Sequence, residues 1–190
     1  MLRLFEHAKV IFSLSNAIDK AALLKANRRG VAAVEFAIFA GFLSFATLNV
    51  AEISTYIYQR MEVENATEMA VQAAWQNCDW VHLPATTNCP GLSNAVQSAM
   101  QSTSLGTRIA LQSGSPSEGY YCVNSSNALE YVSDVTSKPA DCSAAGMSSL
   151  QPADYIKIQT TFPYSPMFPG ITVGSTFQTP ITRTAWMRLD

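Results

Sequence analysis

Few residues in this chain have the types and spacing that chemistry needs, and those few point to ion pairing and thiol oxidation. Glu35 is the one charge in Val31–Ala51, an otherwise apolar or weakly polar run. Insertion scales put a carboxylate at the centre of a membrane helix at roughly 2.5–3.5 kcal/mol, so such a group calls for a cation or a role. Near a helix start it can instead snorkel to the headgroups, favoured by the helix dipole. Four cysteines, Cys78, Cys89, Cys122 and Cys142, admit three disulfide pairings, with a zinc site as the rival. Zinc would want close Cys-x-x-Cys pairs or nearby histidines, and the chain has only His7 and His82. The same shortage leaves no material for a Ser-His-Asp or Cys-His arrangement. Gly170-Ile-Thr-Val-Gly174-Ser175 is glycine-spaced but lacks the lysine of a phosphate loop, and it reads as a strand between turns. No enzymatic activity, cofactor or metal is expected.

The element that must position Glu35 is a helix. About twenty mostly apolar residues at roughly 1.5 Å rise cover the roughly 30 Å of a bilayer's hydrocarbon core. A soluble amphipathic helix would show polar positions at helical spacing, and this run is apolar on all sides. Six of the twelve Lys and Arg residues precede it: Arg3, Lys9, Lys20, Lys25, Arg28 and Arg29. Basic flanks stay cytoplasmic, which puts the N-terminus inside and residues beyond about 55 outside. Phe5, Val10, Ile11, Phe12, Leu14 and Ile18 suggest a weak amphipathic helix on the inner leaflet. A conventional secretory signal fits poorly, because the apolar run is too long and lacks a clear Ala-x-Ala site. Twin-arginine export fits no better, since Arg28-Arg29 lacks the rest of that motif.

Arg28-Arg29-Gly30-Val31-Ala32-Ala33-Val34-Glu35-Phe36-Ala37 resembles the processing site of TadE-like minor pilins, or pseudopilins. These belong to the tight-adherence (Tad/Flp) branch of the type IV pilus systems. The resemblance implies that residues 1–30 are a cytoplasmic prepilin-type leader, cut after Gly30 by a prepilin peptidase. Val31 then becomes the first mature residue and Glu35 the fifth. It also implies an assembly role for Glu35 and Phe36, with the Glu35 carboxylate pairing with the Val31 amine of a neighbouring subunit. Low dielectric strengthens such a pair and raises the cost of leaving either group alone. Two departures are present. Val31 stands where many type IV pilins have phenylalanine, and Glu35-Phe36 replaces the Glu-Tyr of the small major Flp pilins, which favours the TadE-like branch. Gly-Val-Ala-Ala-Val-Glu is also unlike the usual Gly-Phe-Thr-Leu start of type II secretion pseudopilins. The C-terminal Ile181-Thr-Arg-Thr-Ala-Trp-Met-Arg188 resembles TadE-like proteins less specifically. The implied partners are the inner membrane, the peptidase, other pilins and the Tad secretion platform. The implied location is a single pass through the inner membrane with a periplasmic C-terminal domain, extracellular once in a pilus. The rival reading is an unprocessed single-pass protein presenting a periplasmic binding or adhesive domain.

Beyond the span, 31–51, neither glycine nor proline interrupts 52–76, so an exported half of the same helix is expected, with a hinge near Asn49 as the alternative. Ile53, Ile57, Met61, Ala66, Met69, Ala70 and Ala73 recur near helical spacing and predict its inward face, with Glu52, Glu62, Glu64 and Glu68 mostly elsewhere. Residues 77–190 predict a small exported domain. Asn77–Gly91 reads as loop, Leu92–Met100 as a short helix, and Ser113–Gly119 as turn. Strands are expected at Thr107–Gln112, Tyr120–Val123, Leu129–Val132 and Tyr155–Phe162, with one or two more in Thr176–Arg188. Tyr120, Tyr121, Tyr164, Phe168 and Trp186 read as core or subunit interface. The fold class is therefore α+β, and the resemblance makes it type IV pilin-like, a long N-terminal helix on a small antiparallel sheet. On the exported, oxidising side, short loops favour Cys78–Cys89 and Cys122–Cys142. Without the leader, six Lys/Arg face twelve Asp/Glu, an acidic balance that argues against nucleic acid as a partner.

Overall fold

The computed structural model describes residues 28–78 and 80–190, with backbone only for Arg28, Arg29 and Trp80. The predicted leader up to residue 27, with its inner-leaflet helix, lies outside the described residues, as does Asp79. The chain divides into two compact units, one ending at Asn49 and the other Val50–Asp190.

Helix α1 covers Arg28–Asn77. No proline interrupts it, and its only glycines are Gly30 and Gly41. It is long and apolar enough, near the N-terminus, to cross a membrane. In its apolar part the few polar side chains fold back onto the helix's own carbonyls. Ser44 Oγ donates to Ala40 O at 2.7 Å, Thr47 Oγ1 to Ser44 O at 2.9 Å, and Asn49 Nδ2 to Phe45 O at 2.8 Å. Each donor is thereby satisfied without water, which hydrocarbon surroundings demand.

In the second unit the expected inward face holds for its alanines, with Ala66 and Ala70 buried and Ala73 half-buried, but not for its large apolar residues. Ile53, Ile57, Met61 and Met69 are exposed. The buried face is Glu52, Val63, Ala66, Thr67, Ala70, Val71 and Ala74, with Tyr56 half-buried between them. Small side chains let the helix approach the sheet closely, and the sheet's own Ile156, Ile158 and Phe162 supply the bulk. One buried polar contact fixes the approach: the Thr67 hydroxyl donates to Val63 O and lies 2.6 Å from the Thr160 hydroxyl.

The sheet has five antiparallel strands: β1 Ala110–Leu111, β2 Ser117–Val123, β3 Leu129–Ser133, β4 Ala153–Phe162 and β5 Ile181–Arg188. β4 is the centre. β5 runs along one edge of it, from Tyr155↔Arg188 to Phe162↔Ile181. β2 and β1 share the other edge, at Ala153–Lys157 and Thr160–Thr161, and β3 pairs outside β2. The period-2 alternation of β4 places Ile156, Ile158, Thr160 and Phe162 against the helix. The opposite face carries an aromatic cluster, in which the Tyr121 ring lies 4.9 Å from Trp186, 5.4 Å from Tyr131 and 6.0 Å from Tyr155. Gly119 is required there, because a Cβ would lie 2.8 Å from the Tyr131 ring.

Several expected elements differ in detail. Thr107–Gln112 yields only two strand residues, because Gly106–Arg108 forms a 3₁₀ turn. Ser117–Gly119, expected as turn, already belongs to β2. The loop-like Asn77–Gly91 contains a 3₁₀ turn at Trp80–His82 and a short helix, α2, at Ala85–Asn88. Helix α3 follows at Leu92–Gln101. Gly170–Ser175 is not a strand: Val173–Thr176 is a 3₁₀ turn, and β5 alone closes the sheet.

Candidate functional site

The N-terminal helix presents its chemistry outward. Val31, Val34, Phe36, Ile38, Phe39, Phe42 and Leu43 are all exposed, a display that water would penalise and that an apolar surrounding would accept. Glu35 stands among them, exposed and with no hydrogen-bond or ion-pair partner among the described residues. Arg28, Arg29 and Gly30 form the first described turn, so the Gly30–Val31 peptide lies in helical backbone. Among the described residues a Cβ at Gly30 would meet nothing within 4 Å, and its φ lies outside the left-handed region. Glycine in a helix interior costs roughly 1 kcal/mol relative to alanine, and packing gives no reason for it at this position.

The second carboxylate of interest is Glu52, one residue past the apolar run. Its side chain is 0% exposed. Oε1 accepts the Tyr164 hydroxyl at 2.5 Å and the Met167 N–H at 3.0 Å. Oε2 accepts the Phe168 N–H at 3.3 Å, and the Thr172 hydroxyl lies 3.4 Å away. Tyr56, Tyr164 and Phe177 pack beside this group, with Tyr56 stacked on Phe177 at 4.5 Å and edge-on to Tyr164 at 5.0 Å. The Tyr164 hydrogen bond chiefly lowers the carboxyl's pKa, helped by both amides and Thr172, while burial opposes it. Burial and the same hydrogen bond push the Tyr164 phenol up, so the pair is carboxylate and neutral phenol. Glu52 thus ties the β4–β5 connection to the helix. Sequence reasoning placed it with Glu62, Glu64 and Glu68, mostly off the apolar positions that recur at helical spacing. Its i, i+4 relation to Tyr56 was the available signal.

A third acidic group lies at the other end of β4. Asp154 is 3% exposed and its Oδ1 has no hydrogen-bond partner among the described residues. Burial, then the nearby Glu118 charge and a hydrogen bond to it, then Asp190, push its pKa up to about 7, with Lys138 opposing. Glu118 itself accepts the Ala85 and Thr86 N–H groups at 2.8 and 2.7 Å. Asp190 accepts the Asp154 N–H and pairs with Lys138 at 3.2 Å.

The cysteines are bonded as Cys78–Cys89 and Cys122–Cys142, with Cα–Cα distances of 5.5 and 5.7 Å. Of the aromatic candidates, Tyr121 and Tyr164 are buried, Tyr120 and Phe168 half-buried and Trp186 exposed. Phe36 is exposed beside Glu35 on the apolar helix. No cluster of three or more metal-ligating side chains occurs among the described residues. Set against family models, curated proteins and solved structures, the chain matches none of them.

Proposed function

We propose that this chain is a TadE-like minor pilin, cleaved after Gly30 by a prepilin peptidase and assembled into, or priming, a Tad/Flp adhesion pilus. The observation that carries the reading is the pair Gly30 and Glu35 on one apolar helix. The glycine has no packing duty, and the carboxylate has no partner within the described chain. A peptidase site accounts for the first, and the new Val31 amine of a neighbour accounts for the second. The α+β architecture, a long apolar helix followed by a small antiparallel sheet, agrees with a pilin plan. The reading is non-enzymatic, with the inner membrane and other pilins as partners.

The test is mass spectrometry of the chain from cells with an intact Tad system, paired with Glu35→Leu. The expected mature protein begins at Val31. Glu35→Leu is expected to insert and be cleaved normally yet fail to join pili, because breaking a desolvated ion pair costs roughly 3–5 kcal/mol. Recovery of only the full-length chain would favour the unprocessed membrane-anchored reading. Normal pilus incorporation of Glu35→Leu would remove the pairing role.

A further inference from the structure

The connection between β4 and β5 combines three properties. It is pinned, since the Glu52 carboxylate holds Tyr164, Met167, Phe168 and Thr172. The Ile171 and Thr172 N–H groups also turn back to Phe168 O, both at 3.3 Å. It is uncharged, since no Asp, Glu, Lys, Arg or His occurs between Lys157 and Arg183. And its outward side is apolar, with Met167 51% and Ile171 60% exposed and Val173 exposed beside them. Scattered exposed apolar residues are ordinary, but three within seven residues of a fixed, uncharged turn form a patch.

Where the patch is tied matters as much as what it contains. Glu52 follows Ala51, the last residue of the apolar run, so the hydrogen bonds hold the patch beside the point where that run ends. Tyr56 and Tyr58 come within the next two helical turns, and Tyr58 is exposed. Amphipathic aromatic rings at that position are what a membrane–water interface selects. We infer that residues 167–173 form a lipid-contacting turn that inserts Met167 and Ile171 into the headgroup region of the leaflet from which the exported unit emerges. The inference rests on the membrane-anchoring part of the proposed function. A bilayer interface suits this patch by its position, since Glu52 holds it next to Ala51, the last residue of the apolar run. The buried Glu52 anion serves as its tether, satisfied internally and so not exposed to lipid.

All four native cysteines are in disulfides, so an introduced cysteine is the only thiol. The experiment places an NBD fluorophore on Ile171→Cys or Met167→Cys in the full chain, reconstituted in phosphatidylcholine–phosphatidylglycerol vesicles. Phe39→Cys in the apolar run and Ser125→Cys in the β2–β3 turn serve as references; all four positions are exposed. Ile171 and Met167 labels are expected to shift to the blue, to be quenched by a headgroup-level nitroxide lipid and to be protected from iodide, unlike Ser125. If Phe39 is lipid-quenched while Ile171 and Met167 are as open to iodide as Ser125, the turn lies in water. The inference then falls and the membrane anchor stands. Iodide quenching at Phe39 itself would remove the anchor and the inference together. Labels at 167 and 171 shielded from both quenchers would overturn lipid contact in favour of a subunit interface.

Discussion

Asp154 and Glu52 are both buried carboxylates, yet their surroundings drive them in opposite directions. Glu52 receives donors at both oxygens, so its contribution is complete above the ordinary glutamate range and is lost as pH falls through its depressed pKa. Asp154 has an Oδ1 with no partner among the described residues, Glu118 nearby and a pKa pushed up from 3.8 to about 7, chiefly by burial. The folded state therefore holds a proton that the unfolded chain releases above its lower pKa. The contribution of Asp154 is full below about pH 4 and declines as pH rises to about 7. Asp154→Asn keeps the shape and supplies an N–H toward Glu118 at every pH. It is expected to flatten this slope and to raise stability at pH 8 by about 1–3 kcal/mol, a figure discounted for the solvent that reaches the cluster. Thermal melts of the detergent-solubilised chain between pH 4 and pH 8 check this, and an unchanged slope in the variant would assign the proton elsewhere. Neither role was legible in the sequence, because both depend on which residues a distant strand or turn brings alongside.

At the scale of elements, the β4–β5 connection shows how a turn is fixed by a single close approach. A Cβ at Gly174 would lie 2.6 Å from Glu52 Cγ and 2.7 Å from Oε1. Gly174→Val is therefore expected to displace the turn from the carboxylate and to cost about 1–3 kcal/mol, the range for overpacking a filled site. Limited proteolysis should then cut within 165–172 faster than in the parent chain, while β4 and β5 stay protected. Equal cleavage rates would mean that the turn holds without the Glu52 tether. Helix α1 was legible almost to its ends, since 28–77 lacks proline and its apolar run is long. Its inward face was legible only in part: periodicity picked out Ala66 and Ala70, which are buried, but also Ile53, Ile57, Met61 and Met69, which are exposed because close helix–sheet contact selects small side chains.

For the molecule as a whole, two covalent links stabilise the unit Val50–Asp190, one tying the end of α1 to the segment after α2 and one tying β2 to the loop before β4. Closing loops of 11 and 20 residues is worth about 3 kcal/mol each in the chain-entropy account. Cys122→Ser with Cys142→Ser, and Cys78→Ser with Cys89→Ser, are each expected to lower stability by about that amount. Denaturant titration with and without reductant measures it; a parent chain indifferent to reduction would show that packing alone carries the fold. Both links follow from loop length, which is a local property, and so they could be read without coordinates. The same holds for the apolar run Val31–Ala51 and the alternation in Tyr155–Phe162, where composition or period within one segment states the outcome. Tertiary structure alone decided that Glu52 is buried, that Asp154 meets Glu118 and Asp190, and that Gly170–Ser175 is a turn rather than a strand. In each case the deciding groups come from segments far apart in the chain. Hydrogen bonds, charge and steric contact act through space, and only the folded chain specifies that space.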